Sequence, residues 1–505
     1  MLKAGKCWHF GIIKRSISSS FRDSSVFKSE AYFCGEWKKG DETFCLRNPA
    51  TQDEISSITD CGISDYNEAI KGAHGAFKSF RKSAPSSRSE ALQNIYELMQ
   101  ENKEDLARLV TMENGKPYRE SLAEVDYASS YFKWFSEEAH RMVGTIMPGS
   151  GSTEKKILTI RRPLGVVGIL TPWNFPTAMI ARKLAPALAA GNTCVVKPAQ
   201  ETPLSALAYG WLCEQAGFES GVCNILPTSH ADVVGKYMCQ HDLVSKITFT
   251  GSTKVGRILM QHVHNKTGTI KKVSMELGGN APFIIFEDAD IYKALDGIMA
   301  SKFRNSGQTC ICANRIFVHE SLYDTVASSL AKRMETDLVM GSGFDVHVTQ
   351  GPLINDKAVN KVSDLVEDAK NKGAKVLMGG TRASTLGRNF YHPTILTDVD
   401  ESMDVFHKEI FGPVACLIKF KTTEEVLRRS NDSNVGLAGY FYTANIGTIM
   451  KLAEDLEVGM IGVNSSEISD AVLPFGGVKD SGLGREGSLY GINDYTELKS
   501  IILEP

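Results

Sequence analysis

Neither sign of charge dominates this chain, and it has no long apolar run. Its 56 lysines and arginines nearly balance 59 aspartates and glutamates, which gives a formal net charge of −3 at pH 7. A chain so balanced has no overall field that would attract nucleic acid or an anionic membrane. Apolar runs are short, such as Leu164 to Leu170, whereas a membrane-spanning helix needs about 18 residues. The sequence therefore predicts a soluble protein without nucleic-acid or membrane partners.

The cysteines form no framework. There are 11 of them, an odd number at scattered spacings. This pattern excludes the paired disulfides of a small secreted domain and the paired C-x-x-C ligands of a zinc site. We therefore expect a protein of a reducing compartment with no bound metal.

The N-terminal residues differ in composition from the rest. Basic residues bracket the serine cluster Ser18 to Ser20, and the first acidic residue is Asp23. This composition is typical of a mitochondrial transit peptide, which we place at residues 1–28 and which implies a mitochondrial-matrix protein. An untargeted basic tail on a cytoplasmic enzyme is the alternative. Folded sequence is predicted to begin near Ser29.

The remaining composition is that of a large α/β enzyme of two or three domains, with 505 residues, 42% of them hydrophobic, and 44 glycines. Apolar residues at three- and four-residue spacing predict helices from about residue 64 to 134. The alternating pattern of 156–162 predicts a strand, 31–37 an edge strand, and the Pro-Gly-Ser stretch 148–153 a linker.

Cys310 is the clearest candidate for chemistry. It follows the small and polar run Ser306 to Thr309, which has no apolar period of the kind that surrounds an inert core cysteine. Small residues let the backbone approach a ligand and leave N–H groups to face developing negative charge. The pattern indicates a nucleophilic thiol beside an oxyanion hole.

Two strand-like segments end in polar residues. Leu164 to Leu170 leads into the rigid turn TPWNFP, which carries Asn174, and Asn192 to Val196 leads to Lys197. Open α/β sheets bind ligands at the carboxyl ends of their strands. Asn174 is therefore a candidate oxyanion donor, and Lys197 a candidate contact for a phosphate or ribose, although a solvated lysine is equally consistent with the sequence.

Two further segments combine a strand with glycine. ITFTGSTKVG, residues 247–256, reads as a strand, a turn at Gly251 and Ser252, and a helix N-terminus, which favours anionic groups, although an ordinary turn has the same pattern. VSMELGGNAP, residues 273–282, places Glu276 between apolar neighbours that would raise its carboxyl pKa and suit it to act as a general base.

From about residue 30 to its C-terminus, the chain resembles the aldehyde dehydrogenases. The matching motifs are PWNFP, VVKPA, FTGST, MELGGNAP, GQTC, EIFGP and PFGGVKDSGLGRE. The resemblance implies an α/β fold with a Rossmann-type NAD(P)-binding domain at 29–150 and 164–278 and an α/β catalytic domain at 279–489. It also implies a β-ribbon oligomerisation element at 151–163 and 490–505, and hence a homodimer or homotetramer.

The same resemblance implies roles for individual residues. Cys310 would be the nucleophile that forms a thiohemiacetal and then a thioester, Glu276 the base that hydrolyses the thioester, and Asn174 the oxyanion donor. The cofactor-binding residues would be Trp173, Lys197, Gln200, Gly251, Ser252, Gly256, Glu409 and Phe411. A glutamine at 200, where NAD-preferring members often carry glutamate, predicts that NADP is accepted and favoured over NAD.

Within the family, the chain most resembles the enzymes that oxidise succinate semialdehyde to succinate in 4-aminobutyrate degradation. Arg182, Arg304 and Ser469 would hold the substrate carboxylate, since arginine offers planar bidentate donors. Asp470 departs from the pattern and adds a negative charge nearby. A purely structural ion-pair role for Arg304 is the alternative at this position.

Other functions stay open on the sequence alone. These are another aldehyde specificity, a non-redox thiol acyl hydrolase or transferase, and a catalytically silent binding protein. The spacing Cys310-x-Cys312 also predicts a redox switch, because an oxidised Cys310 would have Cys312 as its nearest resolving thiol. Simple packing of Cys312 behind the loop is the alternative.

Overall fold

The computed structural model describes residues 21–264 and 269–504. Its strands are β1 (Ala31–Phe33), β2 (Glu36–Lys38), β3 (Thr43–Arg47), β4 (Glu54–Thr59), β5 (Ile146–Gly149), β6 (Ser152–Pro163), β7 (Val166–Leu170), β8 (Thr193–Lys197), β9 (Cys223–Ile225), β10 (Val244–Thr250), β11 (Lys272–Glu276), β12 (Ala281–Ile285), β13 (Ala313–His319), β14 (Lys375–Met378), β15 (Thr394–Thr397), β16 (Val414–Phe420), β17 (Val435–Gly436), β18 (Ala438–Tyr442), β19 (Met460–Val463), β20 (Val478–Lys479), β21 (Gly482–Leu483) and β22 (Thr496–Leu503).

The α-helices are α1 (Ile63–Phe80), α2 (Pro85–Glu101), α3 (Lys103–Asn114), α4 (Tyr118–Glu138), α5 (Pro176–Ala189), α6 (Pro203–Gln215), α7 (Ala231–Gln240), α8 (Thr253–His264), α9 (Ile291–Phe303), α10 (Tyr323–Asp337), α11 (Asp356–Asn371), α12 (Asp404–His407), α13 (Thr423–Asn431), α14 (Ile446–Asp455) and α15 (Ser488–Gly491). Four helices, α1 to α4, occupy the stretch predicted to be helical. Within the described ranges, no helix is both long and apolar enough to cross a bilayer.

The first sheet has eight strands in the order β2-β1-β9-β8-β7-β10-β11-β21. Its five central strands are parallel, while β1 and β21 pair antiparallel at the two sides. Because β8, β7, β10 and β11 are parallel neighbours in this order, their carboxyl ends lie at one edge of the sheet. At that edge lie the turn that carries Asn174 and the three residues Lys197, Gly251 and Glu276.

The second sheet has seven strands in the order β14-β15-β16-β13-β12-β18-β19, parallel except for β14 at one side. Separate apolar clusters cover its two faces. The loop that carries Cys310 runs from α9 into β13, the central strand of the seven. The strand β21, within the predicted catalytic range, returns to the first sheet and places Gly482 opposite Glu276.

A third sheet, β22-β6-β5, is wholly antiparallel and corresponds to the predicted β-ribbon. The predicted linker at 148–153 is instead the end of β5, a turn and the start of β6, with Pro148 paired to Lys156. Its Pro-Gly-Ser composition predicted a loop. The prediction was wrong because the tip of an edge hairpin can have this composition without any apolar alternation.

The folded chain begins earlier than predicted. Phe21 and Val26 are buried against the helical layer, and the N–H groups of Arg22 and Asp23 donate to the Asp105 carboxylate at 3.1 and 2.9 Å. The predicted start near Ser29 is therefore wrong. The first part of the predicted transit peptide, residues 1–20, lies outside the described residues.

Candidate active site

The loop that carries Cys310 is held in an unusual backbone conformation. Asn305, Ser306 and Gly307 have successive positive φ angles of 50°, 53° and 75°. A Cβ on Gly307 would lie 2.1 Å from the carbonyl oxygen of Gly412, so only glycine fits there. Three consecutive left-handed residues are costly unless the surroundings impose them, and such conformations concentrate at functional sites. The loop presents Cys310 half-buried.

The surroundings of the Cys310 thiol shift its pKa upward. Burial raises its pKa to about 12, and the carboxylates of Glu409 and Glu276 act in the same direction, whereas Arg182 and Arg304 act to lower it. The two guanidinium groups are the local charges that favour the thiolate.

Asn174 lies beside this loop, between Pro172 and Pro176 in the turn after β7. Its Nδ2 donates to the carbonyl oxygen of Gln308 at 3.1 Å, which links the two sheets. An amide nitrogen carries two hydrogens, so one remains available to a developing oxyanion. The side chain is 4% exposed, and its Oδ1 has no hydrogen-bond partner among the described residues.

Glu276 ends β11 and is 3% exposed. Burial raises its pKa well above the usual range, the charge of Glu486 adds to the rise, and Arg182 and Lys183 oppose it. The Oε2 atom accepts no hydrogen bond from the described part of the chain. A buried carboxyl with a raised pKa and a free oxygen is suited to accept a proton from water.

A buried charge network lies behind Glu276. Glu486 is ion-paired with both Arg182 and Lys183, and all three side chains are at most 3% exposed. Burial alone would raise the pKa of Glu486, but the two cations outweigh it and lower that pKa. The Arg182 guanidinium stacks 3.8 Å from the centre of the Phe475 ring, and its Nη2 has no partner among the described residues. Arg182 thus retains one free donor group.

A partly open cavity of about 160 Å³ joins the predicted substrate residues to Cys310. Asn174, Arg182, Arg304, Cys310 and Ser469 all line it. A cavity of about 150 Å³ holds a benzene molecule, so this space suits a substrate of roughly six or seven non-hydrogen atoms. Arg304 and Ser469 also border a second, wider cavity of about 580 Å³, which we call the outer cavity.

Asp470 does not contribute to this cavity. It is exposed, its carboxylate accepts the Val472 N–H at 3.1 Å, and it lines neither the inner nor the outer cavity. Glu120, which the sequence did not single out, lines both and accepts the Asn305 N–H at 2.8 Å. Glu120 is therefore an acidic group of both cavities, whereas Asp470 is not.

The cofactor side of the site is assembled differently. Lys197, 7% exposed, donates to the carbonyl oxygen of Pro198 at 2.8 Å, and burial lowers its pKa to about 8. Gln200 is exposed and borders a separate cavity of about 490 Å³ together with Arg47 and Arg388. The same cavity is also lined by Glu201 and Asp356, and Asp356 lies 3.6 Å from Arg388.

The turn from β10 into α8 is built around close backbone approaches. A Cβ on Gly251 would lie 2.3 Å from the Phe249 ring, and one on Gly256 2.5 Å from Leu277. The Ser252 Oγ accepts the Val255 N–H at 3.3 Å and so caps the helix. The glycines let α8 pack directly on the end of β11, which leaves its N-terminus open to an anion.

Glu409, on the far side of Cys310, completes this half of the site. Its Oε1 accepts the Gly279 N–H at 3.1 Å. A Cβ on Gly278 would lie 3.0 Å from Glu409 Oε2 and 3.3 Å from Thr253 Oγ1, so the missing side chain leaves a cradle between a carboxylate and a helix N-terminus. A hydroxyl acceptor beside a phosphate-binding turn fits a dinucleotide.

Two aromatic residues predicted to contact the cofactor lie against each other. The rings of Trp173 and Phe411 are 5.5 Å apart and nearly perpendicular, at 89°. Phe411 has a φ of 56°, a strained value for an aromatic residue. The contact joins the Asn174 turn of the first sheet to the Glu409 segment of the second.

Comparison with known proteins agrees with this arrangement of thiol, amide, carboxyl and glycine cradle. A family model, the aldehyde dehydrogenase family, matches residues 37–501. The chain is an aldehyde dehydrogenase. It therefore oxidises aldehydes with NAD or NADP, and its fold is the mixed α/β fold of that family.

Several dehydrogenases are similar to it over most of their length. A 3-sulfolactaldehyde dehydrogenase of Pseudomonas putida is 48% identical over 95% of this chain and 98% of its own. The mitochondrial succinate-semialdehyde dehydrogenase of Homo sapiens is 47% identical over 95% and 89%. The NADP-dependent succinate-semialdehyde dehydrogenase of Saccharomyces cerevisiae is 48% identical over 96% and 97%. A crystal structure of the Burkholderia pseudomallei succinate-semialdehyde dehydrogenase is 45% identical over 96% and 99%, with a TM-score of 0.93.

The sequence missed the charged residues that support the dehydrogenase site. Lys183 and Glu486 flank Glu276, while Lys116 and Glu124 lie beneath the Asn174 turn. Lys183 directly follows Arg182, but a single buried cation has no pattern that distinguishes it from a solvated one. In the described ranges, no cluster of three or more His, Cys, Asp or Glu could hold a metal ion.

Cys312 lies behind the catalytic loop. It is 6% exposed, and its thiol donates to the carbonyl oxygen of Lys302 at 3.4 Å. Both Cys310 and Cys312 are free thiols. A disulfide between them would require this contact to break, so the redox switch stays a prediction.

Proposed function

We propose that this dehydrogenase oxidises succinate semialdehyde to succinate, with Arg182, Arg304 and Ser469 holding the terminal carboxylate. The observation that carries the proposal is the cavity that these three residues share with Cys310. Two arginines line it, and the Nη2 of Arg182 has no hydrogen-bond partner among the described residues. Two relatives, from Homo sapiens and Saccharomyces cerevisiae, bear the name of that activity. A four-carbon substrate with seven non-hydrogen atoms matches a space of about 160 Å³.

In the proposed mechanism, the Cys310 sulfur adds to the aldehyde carbon as the thiol passes its proton through a water molecule to the free Oε2 of Glu276, which returns it to solvent before the second step. The carbonyl oxygen becomes an oxyanion, which the free N–H of Asn174 Nδ2 stabilises. Bound NAD(P)⁺ supplies the acceptor for the hydride that leaves this carbon. The acyl group then remains on Cys310 as a thioester, and Arg304 and Arg182 keep its carboxylate end fixed.

Glu276 completes the cycle. Its free Oε2 takes a proton from a water molecule, which attacks the thioester carbon, and the C–S bond breaks to release the acid and restore the thiol. Asn174 stabilises the second oxyanion as it did the first. Glu276 can act as a base only when its carboxyl is ionised. Because burial raises its pKa, a larger fraction becomes ionised as the pH rises, and we expect deacylation to accelerate with rising pH.

We propose the cofactor contacts that the family resemblance implies, and the cradle that Gly278 leaves between Glu409 and the N-terminus of α8 supports them. Lys197 and Gln200 would contact the adenosine ribose, Gly251 and Ser252 the pyrophosphate, and Glu409 the nicotinamide ribose. Gly256, Trp173 and Phe411 would shape the surrounding walls. NADP is favoured, since Gln200 carries no charge that would repel a 2′-phosphate and Arg47 and Arg388 border the same cavity.

Initial rates of NAD(P)H formation with a panel of short aldehydes test the assignment. Succinate semialdehyde should have a kcat/KM at least tenfold above that of butanal, which lacks the carboxylate, since a charge-assisted contact is worth about 2 kcal/mol. Equal values would remove the carboxylate clamp. Absence of any NAD(P)H with every aldehyde would favour a non-redox thiol hydrolase.

A terminal sulfonate is the second candidate. The Pseudomonas putida relative is named for 3-sulfolactaldehyde, and guanidinium donors with a hydroxyl bind a sulfonate as readily as a carboxylate. The same panel, extended to 3-sulfolactaldehyde, decides between them by kcat/KM.

The assembly that we propose is a homodimer or homotetramer formed through the β-ribbon. On this sheet, Ile146, Leu498 and Ile502 are 74%, 60% and 59% exposed. An apolar surface of this kind marks an interface. Light scattering of the purified protein measures the mass directly, and a concentration-independent monomer would contradict the proposal.

We further propose the mitochondrial matrix as the location and 4-aminobutyrate degradation as the pathway. A relative from Homo sapiens is named as mitochondrial. Because Phe21 is packed in the core, a cleaved signal would end before it rather than at residue 28. N-terminal sequencing of the protein from mitochondria tests this, and an uncleaved cytoplasmic protein would support the alternative.

A further inference from the structure

Two carbonyl groups of the Asn174 turn are held from below by one short segment. Asn114 Nδ2 donates to the carbonyl oxygen of Trp173 at 2.9 Å, and Lys116 Nζ donates to that of Asn174 at 2.7 Å. Between them, Gly115 ends α3 with a φ of 85°. A Cβ on Gly115 would lie 2.7 Å from Pro352 and 2.8 Å from Pro49, so only glycine allows this turn.

Lys116 also joins the turn to the helix that follows. Its Nζ lies 2.6 Å from Glu124 Oε2, and both side chains are fully buried. The other oxygen of Glu124 accepts the N–H groups of Thr177 and Ala178, at 2.9 and 3.2 Å, in the first turn of α5. One buried ion pair therefore fixes the chain on both sides of Phe175. The Lys116 ammonium lies 3.9 Å from the centre of the Phe175 ring.

Lys116 does not itself touch the reacting atoms. The inner cavity is lined by Asn174, Phe175 and Glu124, whereas Lys116 lies behind them. It contacts the main-chain carbonyl oxygen of Asn174. The side-chain amide of Asn174 can stabilise an oxyanion only within a narrow range of distance and angle. A second donor, Asn305 Nδ2, reaches the same carbonyl oxygen at 2.8 Å from the Cys310 loop.

We propose that Lys116, supported by Asn114 and Glu124, is a positioning residue for the reaction, and that it acts through Asn174 by holding the amide where the oxyanion forms. This inference rests on the proposed role of Asn174. A solely structural ion pair would be expected to stabilise the fold without affecting the step in which the oxyanion forms. The two possibilities differ in what happens when Asn174 is removed.

The test is a double-mutant cycle on the rate of NAD(P)H formation in a single turnover. Lys116→Met combined with Glu124→Gln removes both charges and so avoids leaving a buried carboxylate unpaired. In the otherwise unchanged enzyme this pair should lower the rate roughly tenfold, with little effect on KM for the aldehyde. In the Asn174→Ala background it should lower the rate less than twofold.

A matched control contacts the C-terminal end of α5, the helix whose N-terminal end contacts Glu124. Arg88, also buried, donates through Nε to the carbonyl oxygen of Ala189 at 2.8 Å, near the last turn of α5. Arg88→Met should lower the melting temperature but leave the single-turnover rate within twofold. If the paired variant does not fold, Asn114→Ala, which changes no charge, enters the same cycle and should lose about threefold only when Asn174 is present.

The outcomes are distinct. A loss of the same factor in both backgrounds would mean that Lys116 acts independently of Asn174, and would overturn the inference while leaving the proposed function intact. An unchanged rate for Asn174→Ala alone would remove Asn174 from its proposed role and the inference with it. A loss of rate that occurs only in the enzyme that retains Asn174 supports both the inference and the proposed role of Asn174.

Discussion

The substrate side of Cys310 is formed mainly by side chains, and the cofactor side mainly by main-chain turns. On the substrate side, side chains from distant segments, Arg182, Arg304 and Ser469, converge on one small cavity. On the cofactor side, main-chain turns approach closely because Gly251 and Gly278 have no side chains. Side chains can change without disturbing the backbone, whereas a close main-chain approach cannot. A side chain at either glycine would therefore require the surrounding chain to move, whereas a change at Arg304 or Ser469 would alter the cavity without moving the backbone.

The sides also differ in how their polar atoms are satisfied. Arg182 Nη2, Asn174 Oδ1 and Glu276 Oε2 are buried and have no partner among the described residues. Lys197 and Glu409 instead already bond to backbone atoms. Substrate and water would satisfy groups that are costly to leave bare, whereas the cofactor must exchange existing hydrogen bonds. Substitutions on the substrate side and at the nucleophile should consequently have the larger effects.

Removal of the nucleophile should have the largest effect. Cys310→Ala should abolish dehydrogenase activity, because only the sulfur forms the covalent intermediates. Cofactor binding should persist, since Cys310 lies between the two sides and forms no part of the glycine cradle. Assays of NADH and NADPH formation measure the first, and quenching of protein fluorescence on cofactor titration the second. Turnover above background would refute the assignment.

Glu276→Gln should separate the two chemical steps. Hydride transfer should still give a burst of about one NAD(P)H per site, followed by a steady state slowed at least a hundredfold, because no base activates the water. The raised pKa of Glu276 also predicts that kcat of the parent rises with pH through that pKa, and that this limb is lost in the variant. Unaltered steady-state turnover would exclude Glu276 as the base.

Arg304→Ala should affect one class of substrate selectively. Its kcat/KM for succinate semialdehyde should fall tenfold or more relative to that for butanal, because only the former has a carboxylate to lose its partner. Arg119→Ala offers a matched control, since Arg119 lines the outer cavity alone. Equal losses on the two aldehydes would mean that Arg304 is structural.

On the cofactor side, Gln200→Glu should change preference rather than activity. A carboxylate there would repel a 2′-phosphate and accept the ribose hydroxyls, so the ratio of kcat/KM for NADP to that for NAD should fall roughly tenfold. Gln200→Ala controls for loss of the amide. A parent enzyme that strongly prefers NAD would contradict the starting point of this prediction.

Cys312→Ala should have the smallest effect on turnover. Its thiol donates only to the Lys302 carbonyl behind the loop, so activity should stay within about threefold. After peroxide treatment, dithiothreitol should restore the parent more completely than the variant, because Cys312 would trap the sulfenic acid of Cys310 as a strained, easily reduced disulfide. Identical recovery would show that the C-x-C spacing is incidental.

Local sequence sufficed for the parts of the site that lie at strand ends. Glu276 ends β11, Lys197 ends β8 and Gly251 follows β10, as the apolar runs before them indicated. Parallel strands place their carboxyl ends at one edge, so these residues had to meet. The predicted linker at 148–153 failed for the complementary reason, because an edge hairpin can consist of residues typical of loops.

What the sequence by itself determined was therefore the family and the positions of the strand-end residues, and it predicted the nucleophile; each follows from a short pattern. Tertiary structure alone decided the charges around them. Glu486 lies 304 positions from Arg182 in the chain, and Lys116 lies 58 from Asn174. No local pattern links such residues. Only their burial together makes each charge require a partner, raises the pKa of Cys310 and Glu276, and aligns the Asn174 amide.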